Sequence, residues 1–535
     1  MKMTMGVLLG VLVMAMVVVN VVAGHPSYMG ATPRCQEIMT RMRGADWPSE
    51  VLDLKDCYLK YLPAEVGLLT HLTKLDLTGN DLDELPFNFG NLVNLRELSL
   101  WANEWEHVPE ELKGLKSLEV LDLSYMKLKV LPEWLATEFP KLKRFSAHGN
   151  GITKMPDSFA SLQLEYLNLY NNSLHELPSW ICEMTSLKEL HISHNEIATI
   201  PDCIDNLVDL EVLGLWDNDI HTIPESVGNL RNVRLVSFAG NALHSLPDNL
   251  YNHWTHIDDL DLSNNEFSSI PAVVLSMSHI KELHLHGNYL TSDKLPADLR
   301  SLPNLEYLSL GHNRLNSLPP NFLAGLSKLR RLDLSHNSFT EFPAAVAAVA
   351  PQLELFNIHV NDIKSIPDNV LSSMTSMQKL DLRETGLTSL PTSLGTLTQL
   401  EVLDIGNNKI GPRLPNFLAS LVNLRKLAIW SCGLTELPSW IGNLRNLEEI
   451  DFSSNDITSF PKSFELCSKL KVLHMHYNQV SHFPEYLGTF SDLEVIDIYD
   501  NPIQHLPTGF CDGSHPVSER MAYWCFALAG GHDEL

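Results

Sequence analysis

Between residues 49 and 507 one arrangement of apolar and polar positions returns about every 23 residues. Leu72, Leu75, Leu77, Asn80 and Leu82 reappear as Leu95, Leu98, Leu100, Asn103 and Trp105. With the first apolar residue as position 1, twenty units begin at 49, 72, 95, 118, 142, 164, 187, 210, 233, 257, 280, 305, 329, 353, 377, 400, 424, 447, 470 and 493. The apolar, variable, apolar core of each unit, such as Leu213-Gly214-Leu215, alternates as a short strand does and predicts a parallel neighbour one unit later. Sixteen units carry Asn at position 9, where an amide with two donors and an acceptor can satisfy backbone groups of adjacent coils; Cys57, Met126, Thr385 and Cys432 are the exceptions. Every unit ends in an apolar residue followed by proline, from Leu62-Pro63 to Leu506-Pro507, which opens a return segment of the kind seen at Pro438 to Leu444.

No unit of this size can bury its own apolar face, so the stack folds as one body in which each coil covers the next. The length of 535 residues would otherwise suggest three or four domains. The motif Leu-Pro-x-x-apolar-Gly-x-Leu-x-x-Leu resembles leucine-rich repeats, over about 86% of the chain, and is similar to the Ras-group and Scribble-type 23-residue subclass. The resemblance implies an α/β leucine-rich-repeat solenoid, a curved horseshoe with a parallel β-sheet on the concave face and short helices or 3-10 turns on the convex face. It also implies protein binding in a generic sense, without naming a partner.

The ends carry addresses. Residues 1–23 pair Lys2 with an apolar run from Gly6 to Val19 and read as a secretory signal peptide, or as an uncleaved anchor of nearly spanning length. His532, Asp533, Glu534 and Leu535 match a retention signal of the endoplasmic reticulum (ER), which implies a retrieval receptor as one partner. The predicted organisation is therefore 1–23 signal, 24–48 N-terminal cap, 49–507 repeats, 508–528 C-terminal cap and 529–535 tail. No later apolar run is long enough for stable membrane insertion.

Eight cysteines in an oxidising lumen suggest crosslinked caps, which the bare end of a solenoid needs. Cys35 with Cys57 and Cys511 with Cys525 are the expected pairs, with Trp47, Tyr523, Trp524 and Phe526 as apolar lids. Cys182 and Cys203, on return segments of adjacent units, can pair or remain apart. Cys432 and Cys467 fall on ladder and core positions and read as buried thiols.

Positions 5, 7 and 8 should point off the concave strands. Position 5 is Asp in nine of the twenty units, the ordinary choice for a solvated strand, with Ser, Asn or His in most of the others. Ten of the 23 histidines lie on these columns: His148, His191, His194, His284, His286, His312, His336, His359, His474 and His476. Such a row invites a pH-sensitive patch, and full protonation would take the formal charge from −27 to −4. Trp101, Trp216 and Trp430 at position 7, with Tyr170, Tyr307, Tyr477 and Tyr499, form the candidate binding surface, against local packing between coils. Asn171-Asn172-Ser173 is a glycosylation sequon at Asn171. The net charge of −27 without a basic block argues against nucleic acid. No C-x-x-C, phosphate loop, G-x-S-x-G or H-E-x-x-H occurs, and neither a cofactor nor a metal is implied. The expected function is non-enzymatic: a protein-interaction scaffold of the ER lumen binding a protein client. The alternatives are a chaperone-like or quality-control factor, a secreted or surface recognition protein, and the regulatory subunit of an enzyme.

Overall fold

The computed structural model describes residues 33–43, 47–513 and 515–528. The expected signal segment, the retention signal and part of the N-terminal cap lie outside the described residues. The chain divides into two units, 1–162 and 163–535. In the first, the helix Pro33–Arg43 precedes five three-residue strands, from Val51–Asp53 to Arg144–Ser146, paired in parallel one repeat apart. In the second, fifteen such strands run from Tyr166–Asn168 to Val495–Asp497, and helices Thr508–Cys511 and Ser518–Leu528 follow. The leucine-rich-repeat architecture is as expected, and most return segments are single 3-10 turns such as Ser439–Asn443. At the head of these turns the proline carbonyl accepts the first turn bond, as Pro438 does from the Ile441 N–H at 3.1 Å, while its missing N–H leaves no donor orphaned.

The strands occupy positions 3 to 5, one residue earlier than the apolar pattern suggests, with position 4 buried and its neighbours outward, as in the exposed, buried, half-buried run Lys74–Asp76. Leucines at positions 1, 4 and 6 fill the interior. The Asn ladder stitches coils together: the Asn288 side-chain oxygen accepts the Phe267 N–H at 3.0 Å, and its amide donates to the carbonyls of Leu262 at 2.9 Å and Leu285 at 3.1 Å. At two exceptions a substitute does part of this work. Thr385 donates its hydroxyl to the Leu382 carbonyl at 2.6 Å, and the Cys432 thiol lies 3.3 Å from the Ile405 carbonyl.

Position 8 is left-handed in all twenty units, including His194 (φ 57), His312 (φ 49), His336 (φ 49) and Tyr477 (φ 53). A side chain there is strained, and a brace from position 5 offsets the strain. The carboxylates of Asp76, Asp122, Asp261, Asp333, Asp404 and Asp451 each accept the N–H two residues on at 2.9–3.0 Å. The Asp column is thus turn-forming, beyond the solvated-strand role expected of it.

Disulfides join Cys35 to Cys57, Cys511 to Cys525 and also Cys182 to Cys203, with Cα separations of 5.7, 5.5 and 5.8 Å. The last settles the pairing that the spacing left open. Cys432 and Cys467 are buried free thiols, pushed up to about 12 by burial. The aromatic-lid expectation needs correction at two residues: Tyr523 and Phe526 are exposed, at 63% and 61%, while the Trp524 side chain lies outside those described, and Phe510, Val517 and Met521 fill the C-terminal cap. Trp47 is half-buried, donating from its indole to the Val51 carbonyl at 3.0 Å with Arg41 over its ring.

Candidate functional site

The outward strand face of each unit gathers the rings that position 7 and position 8 supply. In the first unit Trp101 meets Tyr125 edge-on at 5.4 Å, and Tyr125 meets His148 at 5.1 Å. His148 is fixed by Ser146, whose hydroxyl lies 2.9 Å from its Nδ1. Tyr125, at position 8, thereby ties two expected residues into one row.

In the second unit three clusters and one histidine row follow. Tyr170, His194 and Trp216 lie within ring-centroid distances of 5.5 to 6.3 Å, with His194 paired to Asp217. Trp216, 37% exposed, and His194, with its side chain 48% exposed, are the open members. His191 pairs with Glu189 at 3.2 Å against the ring of Tyr166. The sequon residue Asn171 is half-exposed at the left-handed position beside Tyr170.

The second cluster turns on position 3, a column of which the sequence reading placed only Tyr307 on this face. Asp259 and Glu282 at position 3 flank His284 at position 5, whose Nε2 is 3.2 Å from the Asp259 carboxylate and 3.7 Å from that of Glu282. Burial pulls the His284 imidazole down, but bonds to both carboxylates pull it further up, to about 9. Arg331 bonds Glu282 at 2.8 Å and lies over the Tyr307 ring at 4.5 Å. The three potential ligand atoms of Asp259, Glu282 and His284 sit within 4.8 Å of one another, but the imidazole proton and Arg331 already use these lone pairs. Alternation of strand side chains, counted from position 5 back to position 3, was the signal that would have found this column.

Beyond it, His312 stacks on His336 at 3.7 Å, His336 meets His359 edge-on at 4.8 Å, and Arg383 donates to His359 Nε2 at 3.0 Å. His359 is 6% exposed, so it underlies the face instead of presenting a ring to it. Burial and Arg383 push it down to about 4, and burial also lowers His286 and His336. The expected common titration of the histidines therefore splits, with His284 held charged and His359 held neutral across the neutral range. Arg383 reaches on to Asp381 at 3.5 Å and Asp404 at 3.8 Å. Burial and the neighbouring Asp404 raise Asp381 to about 7.

The third cluster contains His476 stacked on Tyr499 at 4.6 Å, Tyr477 edge-on to both, and Asp497 at 3.1 Å from His476 and 3.7 Å from His474. Tyr477 and Tyr499 are 54% and 44% exposed. Trp430, half-buried, occupies the space above Gly406, where an added Cβ would clash with its indole. Local packing thus holds much of Trp430 and Trp101, whereas Trp216, Tyr477 and Tyr499 stay open.

Position 2 adds a further order missed in the sequence: acids and bases alternate from coil to coil. Glu119 bonds Arg96 and Lys143, Lys188 bonds Glu165, and Glu448 bonds Arg425 and Lys471. Arg425, Glu448, Glu401 and Lys469 line a shallow cavity of about 410 Å³ at this edge of the sheet. Among the described residues no helix is long and apolar enough to cross a membrane.

A family profile described as "Leucine-rich repeat region" matches residues 256–411 and 377–459, and one described as "Leucine rich repeat" matches 70–128, 140–197 and 163–220. Among curated proteins, the chain is 40% identical over 84 residues to mouse Podocan-like protein 1, covering 15% of this chain and 14% of that one. It is 36% identical over 90 residues to human PH domain leucine-rich repeat-containing protein phosphatase 1, covering 16% and 5%. The chain thus spans a small fraction of these relatives. Among solved structures, the plant peptide hormone receptor RGFR1 in complex with RGF2 is 26% identical with a TM-score of 0.59, over 84% of this chain and 78% of that one. A TDR receptor is similar in fold alone, at 22% identity and a TM-score of 0.60, over 90% and 94%. Repeats, ladder, parallel strands and profiles agree: the chain belongs to the leucine-rich repeat family.

Proposed function

We propose that this protein is a non-enzymatic recognition scaffold of the ER lumen that holds a protein client against its outward strand face. The observation that carries the reading is the array of rings held just past the strand ends, above all the exposed Trp216 and His194 beside Tyr170. Aromatic residues anchored this way lose little entropy on binding and are the usual anchors of protein interfaces. Three disulfides fit an oxidising compartment, and the similar RGFR1 structure holds RGF2. The retention sequence His532 to Leu535 favours the ER over secretion and implies the retrieval receptor as second partner. The repeat variant is nearest the Ras-group and Scribble-type subclass, but a lumenal address separates this chain from their cytosolic partners. A glycan at Asn171 belongs to the same proposal. The secreted alternative draws support from the same peptide hormone receptor, and deletion of the last four residues separates the two, since a resident protein then appears in the medium.

Crosslinking from ER lumen, with Trp216→Ala beside the natural protein, tests the binding face. Loss of an aromatic anchor should weaken capture about tenfold with little change in melting temperature. Unchanged capture, or a large drop in melting temperature, overturns the assignment of Trp216 to the interface.

A further inference from the structure

The row His312, His336, His359 and Arg383 runs across four consecutive coils, and the aromatic face does not account for it. A guanidinium only donates, so His359 Nε2 accepts from Arg383 and its proton sits on Nδ1. That Nδ1 is buried and has no hydrogen-bond partner among the described residues. An unpaired donor at this depth is costly, and an oxygen acceptor would relieve it. His312 is exposed and His336 half-buried above it, so the row opens outward with His359 at its base. Arg383 reaches Asp381 and Asp404 only at 3.5 and 3.8 Å, which leaves it able to donate elsewhere.

We propose that His312, His336, His359 and Arg383 form a subsite that accepts one carboxylate from an Asp or Glu side chain of the protein partner. The proposal rests on the client-binding reading above and specifies part of that face. A single charge suits the site better than a phosphate dianion: Arg383 is its one permanent cation, and Asp333, Asp381, Asp404 and Glu384 stand around it. The groups facing the row are these four carboxylates, His286 and Arg383 itself. His336 is held below the ordinary imidazole range in the free protein, so a bound carboxylate favours its protonation and binding tightens as pH falls, while His359, with Nε2 accepting from Arg383, takes part as the neutral Nδ1–H donor.

The test uses the full chain with 13C at histidine Cε1 and the monocarboxylate N-acetyl-glutamate amide as probe, against sodium chloride at equal ionic strength. The probe should raise the His336 titration midpoint by about half a pH unit or more, and Arg383→Gln should abolish the rise. Arg383 is 38% exposed, so this variant leaves the core intact. Midpoints that match those in chloride, equal shifts at all histidines, or a response to sulfate without one to the probe would each overturn the assignment. No partner protein is used, so failure here leaves the client-binding reading standing, and failure of the Trp216→Ala test leaves this subsite to be judged separately.

Discussion

His284 provides the sharpest check on the electrostatics of the face. Its ordinary value is 6.5 and the fold holds it at about 9. That interval corresponds to roughly 3 kcal/mol. Asp259 and Glu282 are 43% and 29% exposed, and solvent screening reduces the contribution to about 1–2 kcal/mol. Because the folded value lies above the unfolded one, the stabilisation is fully present below pH 6.5 and is lost as pH rises from 6.5 through 9. In Asp259→Asn one carboxylate goes while burial remains, so the His284 midpoint should drop by at least about one unit. Histidine Cε1–H titration reads the midpoint directly, and thermal unfolding at pH 6.5 and 9.5 reads the linked stability. The variant should lose stability at pH 6.5 and little at pH 9.5. A natural-protein midpoint between 6 and 7, or an Asp259→Asn variant with an unchanged midpoint, would refute the proposed charge balance.

Asn288→Ala removes one acceptor and two N–H donors from the ladder and leaves the Phe267 N–H and the Leu262 and Leu285 carbonyls buried; a loss of roughly 3 kcal/mol is expected, read as faster hydrogen exchange in the neighbouring coils. Cys203→Ser opens a crosslink of 21-residue separation, and a loss of about 3 kcal/mol is expected from restored chain entropy, visible as a lower melting temperature under non-reducing conditions. Cys432 and Cys467, buried and pushed up to about 12, should resist iodoacetamide at pH 8 until the chain is unfolded; labelling of the native protein would contradict their burial.

The repeat was readable because each coil must solve the same problem. Leucines at positions 1, 4 and 6 and Asn at position 9 have one role in every unit, and their spacing alone locates the strand and ladder. The cap pairs Cys35–Cys57 and Cys511–Cys525 followed from the same logic, since an end coil has only one neighbour to cover it. The histidines were not readable as a group. His284 and His359 lie on the same face, yet one meets two carboxylates and the other a guanidinium, and these neighbours come from different coils. Position 3, apart from Tyr307, escaped notice for a related reason: its Val, Lys, Glu, Tyr and Arg residues show no common chemistry until strand alternation sets them beside position 5. The Cys182–Cys203 bridge depended on how two return segments approach, which spacing in the chain does not determine.

These differences divide the face by what each column is free to do. Position 5 braces a left-handed residue in unit after unit, so replacing Asp333 or Asp451 would loosen a turn before it altered any recognition. Position 2 is committed to alternating ion pairs between coils, as at Arg425, Glu448 and Lys471. Positions 3, 7 and 8 carry no such repeated side-chain duty, and together with breaks in position 5 such as His284 they are where the chemistry varies most: Trp216, Asp259 and Glu282 about His284, and the row from His312 to Arg383. The acidity of the chain therefore reports two separate things. Part of it belongs to the turn-forming carboxylates of the coils that carry Asp at position 5 and to the paired rims, and a partner's charge preference is set by the positions where those patterns break. Arg383 marks such a break, placing a permanent cation between Asp381 and Asp404 and turning one stretch of an acidic face toward an anionic group.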